Sequence, residues 1–401
     1  MSLDLLRAGT VIPAHPLALT AGRTLDERRQ RALTRYYLAS GAGGVAVAVH
    51  TTQFEIREVG LLRPVLEISA EVVAKEADRP FVLVAGACGD TAQAVAEAEL
   101  AASLGYHAVL LSPKVPGAGE AELLERARAV GEVLPVIGFY LQEAVGGRRL
   151  SPSFWRSLSE QESLVAIKMA PFDRYRTVDV VRAVAASGRA DDIALYTGND
   201  DNILTDLLTP IAGRRVVGGL LGQWAVWTRA AVLMFEEVRR AWAGDEEVLR
   251  SLLGRAADLT DANGAVFDVA GGFHGCIAGV HEVLRGQGLL AGTWCLDPRG
   301  AVPGAGRGDR PGARRLSLAG GRRLRRRQPG RLAALSRAPG FVRPGAAGRP
   351  PRAATGRSRR QTLQCAEARA RTASSSTSTP RPGPVGTRAV PSTTSTVLPP
   401  T

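Results

Sequence analysis

Lysine is nearly absent from this chain: 401 residues contain only Lys75, Lys114 and Lys168. Cysteine is scarce as well. The four, at positions 88, 276, 295 and 365, form no CxxC pair and have no histidine at metal-ligand spacing. Neither a disulfide framework nor a zinc site is expected, and a reducing cytoplasm fits. No uninterrupted apolar run approaches about 18 residues, and Met1-Ser2-Leu3-Asp4 lacks a basic segment followed by an apolar one, so membrane spanning and secretion are not expected. Nothing in the residues asks for a metal or a cofactor.

The charge is unevenly placed. The formal +13 would suggest nucleic acid or an anionic membrane as partner. Yet residues 301–401 hold 21 arginines, no lysine and two acids, Asp309 and Glu367, which gives them +19 and leaves −6 for the first 300 residues. This last stretch has one aromatic, Phe341, and no Ile, Met or Asn, too little apolar surface to offset the entropy of ordering. A disordered Arg/Pro/Gly-rich tail is expected over 298–401. Its run Arg322-Arg323-Leu324-Arg325-Arg326-Arg327 would attract nucleic acid, but incidentally rather than as a selected function. The composition is that of GC-rich codons, and a shifted frame over Gly300 to Pro311 can be written as a capped helix start. A frameshift from about residue 299 is the expected origin.

The first 300 residues read differently. Candidate strands recur with a helix between each pair, at 10–12, 44–52, 81–87, 108–112, 135–140, 164–170, 193–197 and 215–221. Thr24-Leu25-Asp26-Glu27 reads as a capping box, Ser151-Pro152 as an N-cap with proline at N1, and Gly41, Gly105 and Gly188 stand where helices should stop. Eight βα units predict a (β/α)8 TIM barrel over 1–224. Further helices at 225–240, 245–259 and 275–285 would form a C-terminal extension of the same domain, over 225–297. An open doubly wound sheet would want a Gly-rich turn after the first strand and an acid ending the second, and neither is present.

In such a barrel the active site lies at the C-terminal ends of the strands. Reading those ends gives Thr51-Thr52, Cys88, Ser112, Tyr140, Lys168, Gly198-Asn199-Asp200-Asp201 and Gly218-Gly219. Lys168 is the informative one, since it interrupts the apolar run Leu164-Val165-Ala166-Ile167-Lys168-Met169-Ala170. A buried ammonium costs several kcal/mol, so such an amine either snorkels to water or sheds its proton and becomes a nucleophile for carbonyl carbon. Alternation places Val136, Gly138 and Tyr140 on one face of strand five, and Ala166 and Lys168 on one face of strand six. The small residues Gly138 and Ala166 are expected to face inward, so that a phenol and an amine converge above them at the mouth. Asp200 and Asp201 read as helix N-caps. Arg148 and Arg149 either meet an anionic substrate or are simply solvated, and Gly218-Gly219 is a weak phosphate-loop signal.

Tyr140 and Lys168, 28 residues apart inside matching strands, with Thr51-Thr52 after strand two and Gly198-Asn199-Asp200-Asp201 after strand seven, resemble the dihydrodipicolinate synthase and N-acetylneuraminate lyase superfamily of class I aldolases. The resemblance covers about residues 8 to 297. It implies a homo-oligomeric barrel, a tetramer or dimer, whose lysine condenses with pyruvate or another 2-keto acid. Carried over, Lys168 is the Schiff-base nucleophile, Tyr140 the general acid/base and Thr51 a proton relay. Thr51 and Thr52 hold the keto-acid carboxylate, and Gly198 is a close backbone approach under the site. Departures stand beside these matches. The usual Gly-Thr-Thr-Gly-Glu is His50-Thr51-Thr52-Gln53-Phe54-Glu55, the usual Tyr-Asn-x-Pro is Tyr140-Leu141-Gln142-Glu143, and the arginine five residues after the tyrosine is Val145. The paired tyrosines after strand four are replaced by Ser112-Pro113-Lys114. His50 becomes either a substrate contact or a structural residue. The expected function is a cytoplasmic Schiff-base lyase or aldolase that is not a dihydrodipicolinate synthase. The alternatives are an imine-dependent dehydratase or decarboxylase of a sugar-derived keto acid, and a non-catalytic barrel with a binding or regulatory role.

Overall fold

The computed structural model describes residues 2–297. The expected disordered tail and its frameshift origin concern residues outside this range.

Eight parallel strands form one sheet: β1 Val11–Pro13, β2 Gly44–Val47, β3 Val82–Ala87, β4 Ala108–Leu111, β5 Val136–Leu141, β6 Leu164–Ala170, β7 Ala194–Thr197 and β8 Gly218–Leu221. They pair in the order β1-β8-β7-β6-β5-β4-β3-β2. The ring closes between β1 and β2 through the Ala14–Ala46 bridge, where His15 N donates to Ala46 O at 2.8 Å. This is the (β/α)8 barrel expected from the sequence. The strands are buried on both faces, as parallel strands under a shell of helices must be, and they therefore read as continuous apolar runs. Strand two stops at Val47, short of the predicted Thr52: Ala48 takes a positive φ of 61°, which ends the ladder, and His50–Thr52 coil into a 3-10 turn.

Two apolar layers follow from the closure. Ile12, Ala46, Val84, Leu110, Ile137 and Ala166 fill the barrel, while Tyr37, Trp155 and Trp224 belong to the layer between strands and helices. Each such large side chain removed from water contributes about 1.5–3 kcal/mol. The helix Ser2–Ala8 plugs the N-terminal end: Leu6 is buried against the inner layer and its carbonyl accepts the Tyr196 hydroxyl at 2.7 Å.

Local punctuation is largely as read. Ser151 caps the helix Pro152–Ser159 by accepting from Phe154 N, with proline at N1. At the helix Glu27–Ala39 the N-cap is Asp26, accepting from Arg29 N at 3.1 Å, and the expected Thr24 capping box does not form. Gly41 and Gly105 adopt positive φ after their helices. Beyond β8 come the helices Gln223–Val226, Thr228–Trp242, Glu246–Val266 and Cys276–Gly286. Among the described residues no helix is long and apolar enough to cross a membrane.

Candidate active site

Lys168 lies near the C-terminal end of β6, 7% exposed, with its Nζ stacked 4.5 Å from the centroid of the Phe139 ring. Among the described residues no hydrogen bond holds that nitrogen. Burial pushes the ammonium down to about 8, against the opposing pull of the Asp200 carboxylate. The amine rests on Gly198: a Cβ built there would stand 2.5 Å from Lys168 Cε and 2.8 Å from Ala170 Cβ. A side chain at 198 would therefore crowd both the lysine and Ala170.

The partner of Lys168 on β5 is not the one expected. β6 carries a bulge at Val165, so that Val136 pairs with Leu164 and Ile137 with Ala166; from there Phe139 pairs with Lys168 and Tyr140 with Met169. Paired residues of neighbouring strands point the same way. Phe139 therefore faces into the barrel beside the amine, and Tyr140 faces outward, where its ring packs on Trp155 at 5.1 Å and its hydroxyl accepts from Arg176 Nη1 at 3.1 Å. The expected convergence of Tyr140 with Lys168 is corrected accordingly. Gly138 also faces outward, because Leu158 of the neighbouring helix leaves its Cβ position only 3.2 Å of room.

The two threonines separate as well. Thr51 lines the lysine pocket and its Oγ1 donates to His15 O at 3.3 Å. Thr52 is fully buried: its hydroxyl donates to His15 O at 2.6 Å and its amide to Val49 O at 2.9 Å, which leaves neither donor for a ligand. Thr52 is thus a structural residue here. His50 does line the pocket. Burial first, and then the charges of Lys168 and Lys114, lower its pKa to about 4, so the imidazole is neutral near pH 7.

Sequence reasoning missed what the loops bring in. Asp200, read as a helix cap, lines the pocket instead; the cap of the next helix is Asn202, and Asp200 Oδ1 accepts from Gln223 N at 3.0 Å. Burial raises its carboxyl to about 7, with Lys168 opposing. Cys276, at the start of the last helix, also lines the pocket, its thiol pushed up by burial and by Asp200. A carboxylate three residues beyond β7 was a visible signal for Asp200. Nothing local marked Cys276, which comes from over a hundred residues further along the chain.

The lysine pocket is small, about 50 Å³, and adjoins an outer cavity of about 490 Å³. Phe172 and Phe273 line both and meet edge to face at 5.6 Å. Both hold positive φ, 51° and 67°, at a cost of order 1–3 kcal/mol each. Asn199 Oδ1 accepts from Phe172 N at 3.1 Å and so anchors one of them. Arg149 lines the outer cavity but is paired with Glu143 at 2.9 Å, and Arg148 donates to Ala118 O. Gly218 and Gly219 are packing positions, their Cβ sites occupied by the Thr10 backbone and the Trp224 ring.

A lysine pocket at the C-terminal mouth of a (β/α)8 barrel lies where barrel enzymes hold their active sites. The chain belongs to the dihydrodipicolinate synthetase family, whose model matches residues 9–221, and lysine Schiff-base lyase or aldolase chemistry is general to that family. Solved structures agree on the fold. Dihydrodipicolinate synthase from Oceanobacillus iheyensis is 18% identical, with a TM-score of 0.62 over 82% of this chain and 100% of its own. A prophage protein of the dihydrodipicolinic acid synthase family from E. coli K12, in complex with pyruvate, is 18% identical at a TM-score of 0.63, covering 78% and 97%. N-acetylneuraminate lyase from Fusobacterium nucleatum is 16% identical at 0.59, covering 79% and 99%. At such identities the likeness establishes architecture alone. No curated protein matches the chain.

Proposed function

We propose that this protein is a lysine-imine lyase or aldolase acting on pyruvate or another 2-keto acid, working as a homo-oligomer in the cytoplasm. The observation that carries the reading is Lys168 itself: an amine buried at the barrel mouth, unheld by any hydrogen bond among the described residues and pushed toward neutrality. A neutral amine so placed attacks a keto carbon, and the resulting iminium withdraws electrons from the neighbouring carbon, so that a C–C bond there can form or break. Thr51 lines the pocket with its hydroxyl donating to His15 O, and Gly198 leaves the lysine its reach. Because the inner pocket holds only about 50 Å³, the keto acid enters from the outer cavity as Phe172 and Phe273 part.

Tyr140 is not assigned the proton transfers, because it stands on the outer face of β5. That same observation favours one second reading, a barrel without catalysis. Borohydride reduction with pyruvate and a panel of 2-keto acids, followed by peptide mass mapping, separates them. A reduced adduct on Lys168 is expected, and its absence with every keto acid would establish the second reading.

A further inference from the structure

Imine formation needs a group that both gives and takes protons beside the amine, and the outward turn of Tyr140 leaves that place to the other polar groups of the lysine pocket. Phe139, the residue paired with Lys168, has no exchangeable proton. Five other lining side chains do: His50, Thr51, Gln142, Asp200 and Cys276, of which the Gln142 amide neither gives up nor takes a proton near neutral pH. His50 is held neutral by burial between Lys168 and Lys114, so it cannot donate as an imidazolium near pH 7. The Thr51 hydroxyl is already committed to His15 O, and an unassisted alcohol is too weak an acid to protonate a departing hydroxyl. Burial and Asp200 keep Cys276 a thiol.

Asp200 remains. It is 8% exposed, and its place is fixed twice, Oδ1 accepting from Gln223 N and its backbone oxygen accepting from Asn263 Nδ2 at 2.6 Å. It lines both the lysine pocket and the outer cavity, so it stands where a keto acid on Lys168 would meet a second reactant. We propose that Asp200 is the catalytic acid/base of this site, moving protons among the Lys168 amine, the substrate oxygens and the carbon next to the imine. This rests on the imine reading above.

The steps balance as follows. The neutral amine attacks the keto carbon, forming the C–N bond and pushing the carbonyl pair onto oxygen; the Asp200 acid protonates that oxygen and its carboxylate takes a proton from nitrogen. The acid then protonates the hydroxyl, water leaves, and the nitrogen lone pair forms the iminium. The carboxylate next removes a proton from the adjacent carbon to give the enamine. When the enamine carbon attacks an aldehyde, the acid delivers that proton to the aldehyde oxygen. Burial, the Lys168 ammonium, Cys276 and Asp201 all bear on this carboxyl, and its pKa, raised to about 7, suits both directions near neutral pH.

The test uses the full chain, with pyruvate, borohydride trapping on Lys168 and deuterium exchange into the pyruvate methyl group. Asp200→Asn should lower both rates about 100-fold and remove one limb of the pH profile, while Tyr140→Phe leaves both near wild type. If Asp200→Asn fails to fold, Asp200→Glu provides the readout, with slower exchange and a displaced limb. Adduct formation and exchange at wild-type rates and with an unchanged pH profile in the folded variant would overturn the role of Asp200 and leave the imine standing. Absence of any Lys168 adduct in the wild type would remove both.

Discussion

Two rows of side chains run along β5 and β6, one on each face, and their contents differ sharply. The inward row sets Phe139 beside Lys168 over Ile137 and Ala166; the outward row sets Tyr140 beside Met169 over Gly138 and Ile167. Both rows are almost wholly buried, but they answer to different demands. The outer row packs against the helix Pro152–Ser159, where Tyr140 meets Trp155 and finds Arg176 for its hydroxyl. The inner row opens on the pocket and keeps a charged group there, with the Phe139 ring on one side and the Asp200 carboxylate acting on it. The phenol of the outer row is hydrogen-bonded and borders the outer cavity; the amine of the inner row holds no hydrogen bond among the described residues and is pushed toward neutrality, and buried groups so perturbed are where chemistry is expected.

The largest test of this contrast is Lys168→Met. It should abolish the borohydride adduct, a loss of at least about 1000-fold, and also stabilise the fold. The sign follows from the depressed pKa: the folded state disfavours the ammonium, so its cost is full below about pH 8 and fades as pH rises toward the unfolded value of 10.5. Chemical denaturation should therefore show a gain on the order of 1–3 kcal/mol at pH 6 that shrinks toward pH 10. Gly198→Ala comes next. Its methyl meets both the lysine side chain and the Ala170 methyl, so the rate of trapping should fall about 10–100-fold and the fold should lose about 1–3 kcal/mol. A milder effect is expected in the pH dependence of the wild type, whose trapping rate should peak between about pH 7 and 8 and fall above that as the Asp200 acid is lost, instead of climbing toward 10.5. Smallest is Tyr140→Phe: trapping within about two-fold of wild type, and a stability loss of about 1 kcal/mol from the hydrogen bond to Arg176. A large catalytic loss in that variant would erase the distinction between the two rows.

The barrel was legible because its elements are strongly punctuated. Leu164–Ala170 appears at its predicted bounds, and the other seven strands lie within or close to theirs. Lys168 was legible because its chemistry contradicts its surroundings, and Gly198 only through the family resemblance carried by the residues around it. The facing of Tyr140 was not. β5 is apolar on both sides, so alternation reports a period without saying which half points inward, and adjacent aromatics at 139 and 140 fit either choice. A bulge in the neighbouring strand decided it, and one-residue irregularities of that kind leave no mark on a continuous apolar run. Thr52 misled for a related reason: after Ala48 the chain leaves strand geometry, so adjacency to Thr51 no longer implies a shared pocket. Asp200 was mistaken for a local cap because the backbone amide it accepts from, Gln223 N, lies beyond another strand.

Phe267, Phe273 and Cys276 wall the lysine pocket, although all three follow the eighth strand by more than forty residues. During synthesis from the N-terminus, every residue of the ring is available before these walls exist. The last helices thus complete the chamber around the nucleophile only after the ring that carries it has been made.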